Sequence, residues 1–310
     1  MTVRRNTKRL FLFAGYDPDG IIDDTLVHYL SELSKLGDIV LVMDSDVADT
    51  SKLKQIKNLL HFETVRHGEY DFGSYKRGYL WAHSKKILDK YDWIYMVNDS
   101  VYGPLFDLEP ELKDLELRGV DLVGMSDSFD KDVPKHIQSW FVGVSSVVAT
   151  SETMYNFMCE IRRRDTKREI VRRYEAGLSR TLLQHGYKMS AFFNQYANEV
   201  HTMYEQPNVV LDNFVPFIKK AALRNLKYDA SLLPYAPDDL IKKIYENARR
   251  VHLPISVQCE YTKWFRFALL SIPIITIAKK IDEDSKQTLY KVYIFDKLPI
   301  IKIAKSNVTK

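Results

Sequence analysis

A carboxylate follows an aromatic-rich apolar segment, residues 93–97, in the polar triplet Asn98-Asp99-Ser100. In an α/β sheet, a strand brings its last residues to the carboxyl edge, where ligands bind. Divalent cations on nucleoside diphosphates prefer oxygen ligands, so Asp99 is a candidate contact for a diphosphate or its metal ion. The alternative is that the three polar side chains only cap a turn before Gly103-Pro104.

A basic pair, Lys76 and Arg77, follows the Asp-Phe-Gly-Ser segment at 71–74. We interpret this segment, with Gly73 and Ser74, as a turn that opens a helix. The two cations and the free N–H groups of a helix start could together neutralise a diphosphate. Solvated surface charge is the alternative for such a pair.

Two carboxylates are candidate general bases that could deprotonate an acceptor hydroxyl. Glu175 lies in the segment YEAGLSRTLLQHGYK, and Asp127 lies in GMSDSFD. Glu175 could equally be an exposed helix residue paired with Arg172 or Ser179 at helical spacing.

His136 and Gln138 stand at the start of a predicted strand and are candidates for binding a sugar hydroxyl. An isolated histidine at such a place can also be structural. Residues 162–173 hold seven basic and two acidic side chains. Such a run is typical of a solvated helix face, and its alternative use is to bind anionic lipid or a lipid-linked pyrophosphate.

Apolar strand-like segments alternate with amphipathic helical ones through the first two hundred residues, which predicts a mainly parallel sheet covered by helices on both faces. The loops after the strands should share one edge, and Asp44, His67 and Asp71 lie in such loops. The predicted strands are 10–13, 39–43, 64–66, 93–97, 121–125 and 137–144, and the predicted helices are 22–36, 52–60, 75–88, 151–163 and 167–184.

Length and composition limit the classes of function. The 310 residues are 45% hydrophobic, enough for a substantial core, and a net charge of +4 gives no argument for nucleic acid. Cys159 and Cys259 are the two cysteines, so we expect no disulfide framework and a reducing compartment. No Walker loop, dinucleotide fingerprint, nucleophile elbow or zinc-spaced cluster is present.

A boundary at Pro207-Asn208 would divide the chain into a sheet domain, 1–207, and a helical C-terminal region, 208–310. No window reaches about 18 uninterrupted apolar residues, so a membrane-spanning helix is not expected. The apolar segment 263–280 has basic ends. It predicts either a helix in a membrane interface, kinked at Pro273, or a buried helix that closes the core.

Five segments occur in an order that resembles the rhamnan-synthesis F family of bacterial glycosyltransferases, which act in polysaccharide assembly. They are DFGSYKRG, YDWIYMVNDSVYGPL, DLVGMSDS, HIQSWFVGV and YEAGLSRTLLQHGYK, and the resemblance covers about residues 8–205. More distantly, the chain is similar to inverting family 2 glycosyltransferases of GT-A fold. This likeness implies a GT-A-like, Rossmann-like sheet, with Asn98-Asp99-Ser100 in place of the Asp-x-Asp motif and Glu175 in place of the base.

The resemblance also implies a nucleotide over the first strand, so that Ala14, Gly15 and Tyr16 become candidate base or ribose contacts. Because the triplet has one carboxylate, Mg²⁺ or Mn²⁺ could be held by Asp99 with His201, or the basic pair could replace the ion.

The expected reaction is an inverting transfer of a sugar to a lipid-linked saccharide at the inner face of the cytoplasmic membrane. The leading donor is dTDP-L-rhamnose, and galactofuranose, galactose and glucose are the alternative sugars. A catalytically silent scaffold of a polysaccharide-assembly complex is the alternative from another class.

Overall fold

The structure is a computed structural model, and it describes residues 7–128, 133–195, 202–225 and 235–253, together with the backbone of four strands between 261 and 306. His201 lies outside the described residues.

A seven-stranded sheet forms the centre of the fold, in the order β3-β2-β1-β4-β7-β6-β8. Pairing is parallel throughout except at β7, which runs antiparallel to both of its neighbours. The strands are β1 Arg9–Gly15, β2 Asp38–Met43, β3 Leu59–Thr64, β4 Trp93–Asn98, β6 Leu122–Ser126, β7 Phe141–Ser145 and β8 Met189–Phe193. The short strands β5 Val101–Tyr102 and β9 Ile218–Lys219 pair with each other outside this sheet.

Helices cover both faces of the sheet. They are α1 Asp24–Ser34, α2 Tyr70–Ser84, α3 Glu109–Glu116, α4 Ser146–Ala149, α5 Glu152–Glu160, α6 Lys167–Ile170, α7 Ala176–Gln184, α8 Thr202–Glu205, α9 Pro207–Asp212 and α10 Asp238–Arg250. A π-helical turn, Val171–Glu175, joins α6 to α7, and 3₁₀ turns lie at Ser51–Gln55, Leu88–Lys90 and Lys220–Asn225. The predicted class, a Rossmann-like and mainly parallel sheet between helices, is confirmed.

Strand β1 shows why this sheet needs cover on both faces. All seven of its residues are buried. Phe11 and Phe13 enter the core beneath α1 and α3, whereas Leu10 and Leu12 enter the core beneath α2, α5 and α7. Successive strand side chains point to opposite faces, so a continuous apolar run of this kind indicates a central strand.

The start of α2 differs from the prediction. The segment 71–74 was expected to be a turn, but it is the first part of a helix that begins at Tyr70. Gly73 allows a close approach there, because a Cβ at this position would lie 2.3 Å from the Glu69 Cβ. Lys76 and Arg77 are therefore in the second turn of α2, away from the free N–H groups of its N-terminus. The predicted helix over 52–60 is also wrong, since a 3₁₀ turn and strand β3 occupy that stretch.

The predicted helix over 263–280 is wrong as well. That segment forms β10 Tyr261–Leu269 and β11 Ile272–Asp282, which continue with β12 Gln287–Ile294 and β13 Leu298–Ser306 into a four-stranded antiparallel sheet. Aromatic and β-branched residues dominate these strands, and such residues favour extended backbone. Helix beyond residue 207 is confined, among the described residues, to α9, α10 and the turn Lys220–Asn225. None of the described helices is both long and apolar enough to cross a membrane. The division of the chain at residue 207 stays a prediction.

Candidate functional site

A cavity of about 800 Å³ opens at the carboxyl edge of the parallel strands, where the sequence predicted a ligand site. Its walls come from the ends of β1 and β4, the loops after β2 and β3, the start of α2, and the segment between α5 and α7. Its charged lining residues, among those that the structure describes, are Asp17, Asp44, Arg66, Asp71, Asp99, Arg163, Arg164, Asp165, Lys167, Glu175 and Lys220.

Within the polar triplet, Asn98 and Asp99 have different tasks. Asn98 is buried, and its Oδ1 accepts hydrogen bonds from the Ser100 N–H (3.0 Å) and hydroxyl (2.6 Å), while its Nδ2 donates to Asp71 Oδ2 (3.1 Å). Asn98 therefore shapes the turn, as the capping alternative expected. Asp99 faces the cavity, and its Oδ2 accepts from the Tyr16 N–H at 3.1 Å.

Two lysines that come much later in the chain, Lys219 and Lys220, lie beside this triplet. Strand β9 pairs with β5 in a register that sets Lys219 opposite Val101, directly after the triplet. Lys220 follows, and its backbone N–H donates to the Ser100 carbonyl at 3.0 Å. The sequence analysis missed both residues, although adjacent lysines in the apolar stretch VPFIKKAAL were the available signal.

Lys220 lines the cavity beside Asp99, with 3.7 Å between its Nζ and Asp99 Oδ2. Burial raises the pKa of the Asp99 carboxyl, and the charge of Lys220 acts against that rise. Lys220 therefore places positive charge in the same part of the cavity as the triplet carboxylate.

Glu175 ends the π-helical turn and lines the cavity. A π turn adds one residue to the helix and redirects its side chains, and such turns occur often at functional sites. One oxygen of Glu175, Oε2, accepts from the Ser139 N–H (2.8 Å) and from the Ser139 hydroxyl, and Oε1 lies 3.3 Å from His136 Nε2. Burial acts to raise the pKa of Glu175, but the hydrogen bonds from His136 and Ser139 outweigh it and lower the pKa.

His136 is 1% exposed and lies behind Glu175, outside the cavity lining. Its Nδ1 is 2.8 Å from the Pro134 carbonyl oxygen, and its Nε2 faces the Glu175 carboxylate. Two acceptors on opposite sides of the ring fit a doubly protonated imidazolium. The structure thus gives His136 a place in orienting Glu175.

Asp71 is the second carboxylate at this end of the cavity, in the first turn of α2. Ser139 connects it to Glu175, because the Ser139 hydroxyl also lies 3.3 Å from Asp71 Oδ2. Burial, with a further contribution from the Glu175 charge, raises the pKa of Asp71 to about 6. The two neighbouring carboxyls therefore have pKa values displaced in opposite directions, an arrangement known from acid–base sites.

Lys219, the last residue of β9, is 6% exposed. Its Nζ donates to Ser100 Oγ at 3.1 Å and lies 5.1 Å from the centre of the Trp140 ring. Burial lowers the pKa of Lys219 to about 7, even though Glu175 and Asp71 act to raise it.

The opposite wall is built from the loops after β1, β2 and β3. Asp44 accepts hydrogen bonds of 2.7 Å from the backbone N–H groups of His67 and Gly68, which holds the loop after β3 in place. The Arg66 guanidinium lies 4.9 Å from the centre of the Tyr16 ring. Ala14 and Gly15 complete this wall, so the predicted base and ribose contacts do lie at the cavity.

Helix α10 fixes the loop that follows β1. At its C-terminal end, Arg250 donates to both carboxylate oxygens of Asp17, at 3.2 and 2.5 Å, and contacts Asp19 and Asp23. Val251 and Leu253, just beyond the helix, line the cavity. Residues beyond 207 therefore contribute to the cavity at two places.

Five predicted donor contacts on or near α2 do not reach the cavity: His67, Gly73, Ser74, Lys76 and Arg77. The Arg77 guanidinium bonds Glu69 Oε2 at 2.6 Å, and the Lys76 ammonium donates to the Ile161 carbonyl at 2.9 Å. Ser74 is buried and lies 2.9 Å from His67 Nε2, so these two residues hold the loop before α2. Gly73, packed against Glu69 and His67, is likewise outside the lining.

Asp127 and Gln138 also lie outside the cavity lining. Asp127 is fully buried, where its Oδ1 accepts from the Gln195 N–H (2.5 Å) and its Oδ2 lies 3.2 Å from Lys135 Nζ. Gln138 Oε1 accepts from Ser126, Trp140 and Gln195 in the same buried network. Their placement gives both residues structural contacts and brings neither to Glu175.

Five cations line the cavity among the described residues, and the sequence analysis linked none of them to a donor: Arg66, Arg163, Arg164, Lys167 and Lys220. Three of these belong to the basic run 162–173, so part of that run faces the cavity. Arg164 is oriented by Tyr174, whose hydroxyl oxygen accepts from its Nε at 3.0 Å.

The donor set for a divalent cation is small. In the part of the chain that the structure describes, no three His, Cys, Asp or Glu side chains form a ligand group. Asp99 could supply one carboxylate oxygen, which suits Mg²⁺ or Mn²⁺ carried mainly by the phosphates of a nucleotide and by water. Asp99 is thus the described residue that fits such an ion.

The fold is that of an α/β protein with a cavity at the carboxyl edge of its sheet, lined by both carboxylates and cations. The chain matches the family described as rhamnan synthesis protein F over residues 39–295, and it belongs to that family.

Two further proteins are similar to the chain. An uncharacterised protein of Sinorhizobium fredii is 28% identical over 185 residues, which are 57% of this chain and 46% of that relative. The chain thus matches less than half the length of this curated relative. A solved structure, core-mannan synthase A from Aspergillus fumigatus in its Mn/GDP form, is 12% identical, with a TM-score of 0.34 and coverage of 59% of this chain and 71% of that one.

Proposed function

We propose that the chain is a glycosyltransferase that moves a sugar from a nucleoside diphosphate to an acceptor hydroxyl. The observation that carries this proposal is the composition of one cavity. A hydrogen-bonded carboxylate, Glu175, and the triplet carboxylate Asp99 line it together with five cations, of which Lys220 lies beside Asp99. Membership of the rhamnan-synthesis family supports the same class of reaction.

In the proposed mechanism, Glu175 accepts the proton of the acceptor hydroxyl as its oxygen forms a bond to the anomeric carbon. The bond between that carbon and the phosphate oxygen breaks, and its electron pair leaves with the diphosphate. Displacement from the face opposite the diphosphate inverts the anomeric centre. His136 and Ser139 hold the Glu175 carboxylate in place for this step.

Negative charge grows on the departing diphosphate, so preorganised cations stabilise the transition state more than the bound donor. Lys220 and the arginines of the cavity take this role in place of Lys76 and Arg77, which lie outside it. Where a divalent ion is bound, Asp99 would hold it, and the ion would add positive charge at the diphosphate.

For the donor we propose dTDP-L-rhamnose, with galactofuranose, galactose or glucose as alternative sugars, and for the acceptor a lipid-linked saccharide. The family description supports rhamnose. The exposed basic run 162–173 supports an anionic acceptor and a position at the inner face of the cell membrane.

The test is a thermal-unfolding panel of dTDP, UDP and their sugars, each with and without Mg²⁺ or Mn²⁺. Ligand bound to the native state raises the unfolding midpoint by mass action. We expect a rise with dTDP or dTDP-sugar that is lost in Asp99→Ala and kept in Asp114→Ala, an exposed carboxylate paired with Arg118.

Hydrolysis of the donor without acceptor completes the test, since a transferase should transfer the sugar slowly to water. No midpoint shift with any nucleotide would contradict the proposal. Binding without any hydrolysis would favour the silent scaffold instead.

A further inference from the structure

Lys219 is a buried lysine to which the proposed transfer mechanism gives no role. Lys219 is 6% exposed and donates to the Ser100 hydroxyl, with the aromatic faces of Trp140 and Tyr204 at 5.1 and 5.9 Å. No carboxylate of the described chain is within ion-pair distance of its Nζ. Burying an ammonium without an ion pair costs free energy, so a lysine here calls for a reason other than stability.

Two carboxylates of the cavity, Asp71 and Glu175, suggest such a reason. Asp71 and Glu175 are both partly buried at the cavity, and one hydroxyl, that of Ser139, contacts both carboxylates. Two partly buried carboxylates so arranged repel each other, which favours a proton on one of them. A proton on Asp71 removes the negative charge beside Glu175 and therefore makes that carboxylate a weaker acceptor for the proton of a hydroxyl.

The charged groups around the pair are unevenly placed. His136 contacts Glu175 and not Asp71. Lys167 on α6 lines the outer cavity, Lys220 faces Asp99, and Tyr204 on α8 is a neutral ring. Lys219 is a buried cation, and hydrogen bonds through Ser100 and Asn98 join it to Asp71.

We propose that Lys219 is a positioning residue that keeps the Asp71–Glu175 pair ionised and therefore able to accept the acceptor proton. This inference rests on the proposed transferase function. Lys219 touches neither reactant and acts through the two carboxylates. The Ser100 hydroxyl holds its ammonium on this hydrogen-bonded path, next to the β5–β9 pairing.

The experiment measures kcat/KM for donor hydrolysis between pH 5 and 9 in wild type, Lys219→Met, Lys219→Arg and the control Lys242→Met, whose side chain is 77% exposed on α10. Loss of a nearby opposite charge raises a carboxyl pKa by about one unit or more. We therefore expect the acid limb of Lys219→Met to move up by about one pH unit, Lys219→Arg to restore it, and Lys242→Met to match wild type. A uniform loss of activity with an unmoved acid limb would overturn the inference.

Two further measurements keep the test decisive. Ser100→Ala removes the hydroxyl that holds the ammonium, and should move the same limb by a smaller amount even if Lys219→Met does not fold. If wild type hydrolyses no donor, the proposed function fails. The inference is then tested by measuring the thermal unfolding midpoint against pH. Identical curves for wild type and Lys219→Met would overturn it. If Lys219→Met does not fold, Ser100→Ala takes its place in this comparison.

Discussion

Two basic pairs of this chain lie at places that differ from those that their sequence context suggests. Lys76-Arg77 follows a glycine-containing segment and precedes a helical stretch, yet its side chains bind Glu69 and a backbone carbonyl outside the cavity. Lys219-Lys220 lies in an apolar stretch that the sequence analysis did not single out. Lys220 nevertheless lines the cavity, and the Lys219 ammonium bonds the hydroxyl of Ser100, another lining residue. Sequence distance from a motif is thus a poor guide to which cations line the cavity.

The cause of the difference is where each backbone segment is anchored. Helix α2 begins at Tyr70, which moves the first pair into the second turn. Strand β9 is anchored by hydrogen bonds to β5, so its register delivers the second pair to the triplet across about 120 residues of chain. A local pattern can suggest the first arrangement, but the second depends on a long-range pairing.

The largest effect is predicted at Glu175, the proposed base in the cavity that Lys220 lines. Glu175→Gln keeps the size of the side chain and removes the base, so kcat should fall about 10²–10⁴-fold with little change in donor affinity. Asp127→Asn, at the buried carboxylate outside the cavity, is the matched variant and should mainly lower stability. A greater loss of kcat in a folded Asp127→Asn protein would reverse the assignment.

Lys220→Met against Lys76→Met tests the comparison directly. Loss of one preorganised positive group at a developing anion costs about 10²-fold in kcat, and we expect this for Lys220→Met in steady-state kinetics. Lys76→Met should stay within a few-fold of wild type, because its ammonium lies on the Ile161 carbonyl. Equal losses in both variants would erase the distinction between the two pairs.

The parallel core and the edge that carries the cavity could be predicted from the sequence, because continuous apolar runs followed by polar residues are local signals. The end of β4 follows from such signals, whereas Glu175 lies in a helical segment and was singled out as the base by the family resemblance. The contributions of β9 and α10 could not be predicted, since each depends on contacts between distant segments. The strands β10 and β11 were mistaken for a helix because an apolar run of that length suits either structure.

Asp71→Asn should change the pH dependence of stability. The native pKa of Asp71, about 6, is above that of the unfolded chain, so the native state binds the extra proton and stability falls as pH rises from about 4 to 6. About two pH units correspond to about 3 kcal/mol. The free energy of unfolding of Asp71→Asn minus that of wild type, from urea titrations, should rise by this order across that window. A flat difference would show that Asp71 ionises normally.

The smallest effect is expected at Arg77. Its guanidinium, 28% exposed, pairs with Glu69, and although burial acts to raise the pKa of that carboxyl, Arg77 and neighbouring cations lower it. Such a carboxylate contributes stability above its unfolded pKa and loses it as the pH falls through its native pKa. Arg77→Ala should therefore lower the free energy of unfolding by about 1 kcal/mol at pH 7 and by less at pH 3, with kcat unchanged. A fall in kcat without a fall in stability would return Arg77 to the diphosphate, and the contrast between the two basic pairs would then be lost.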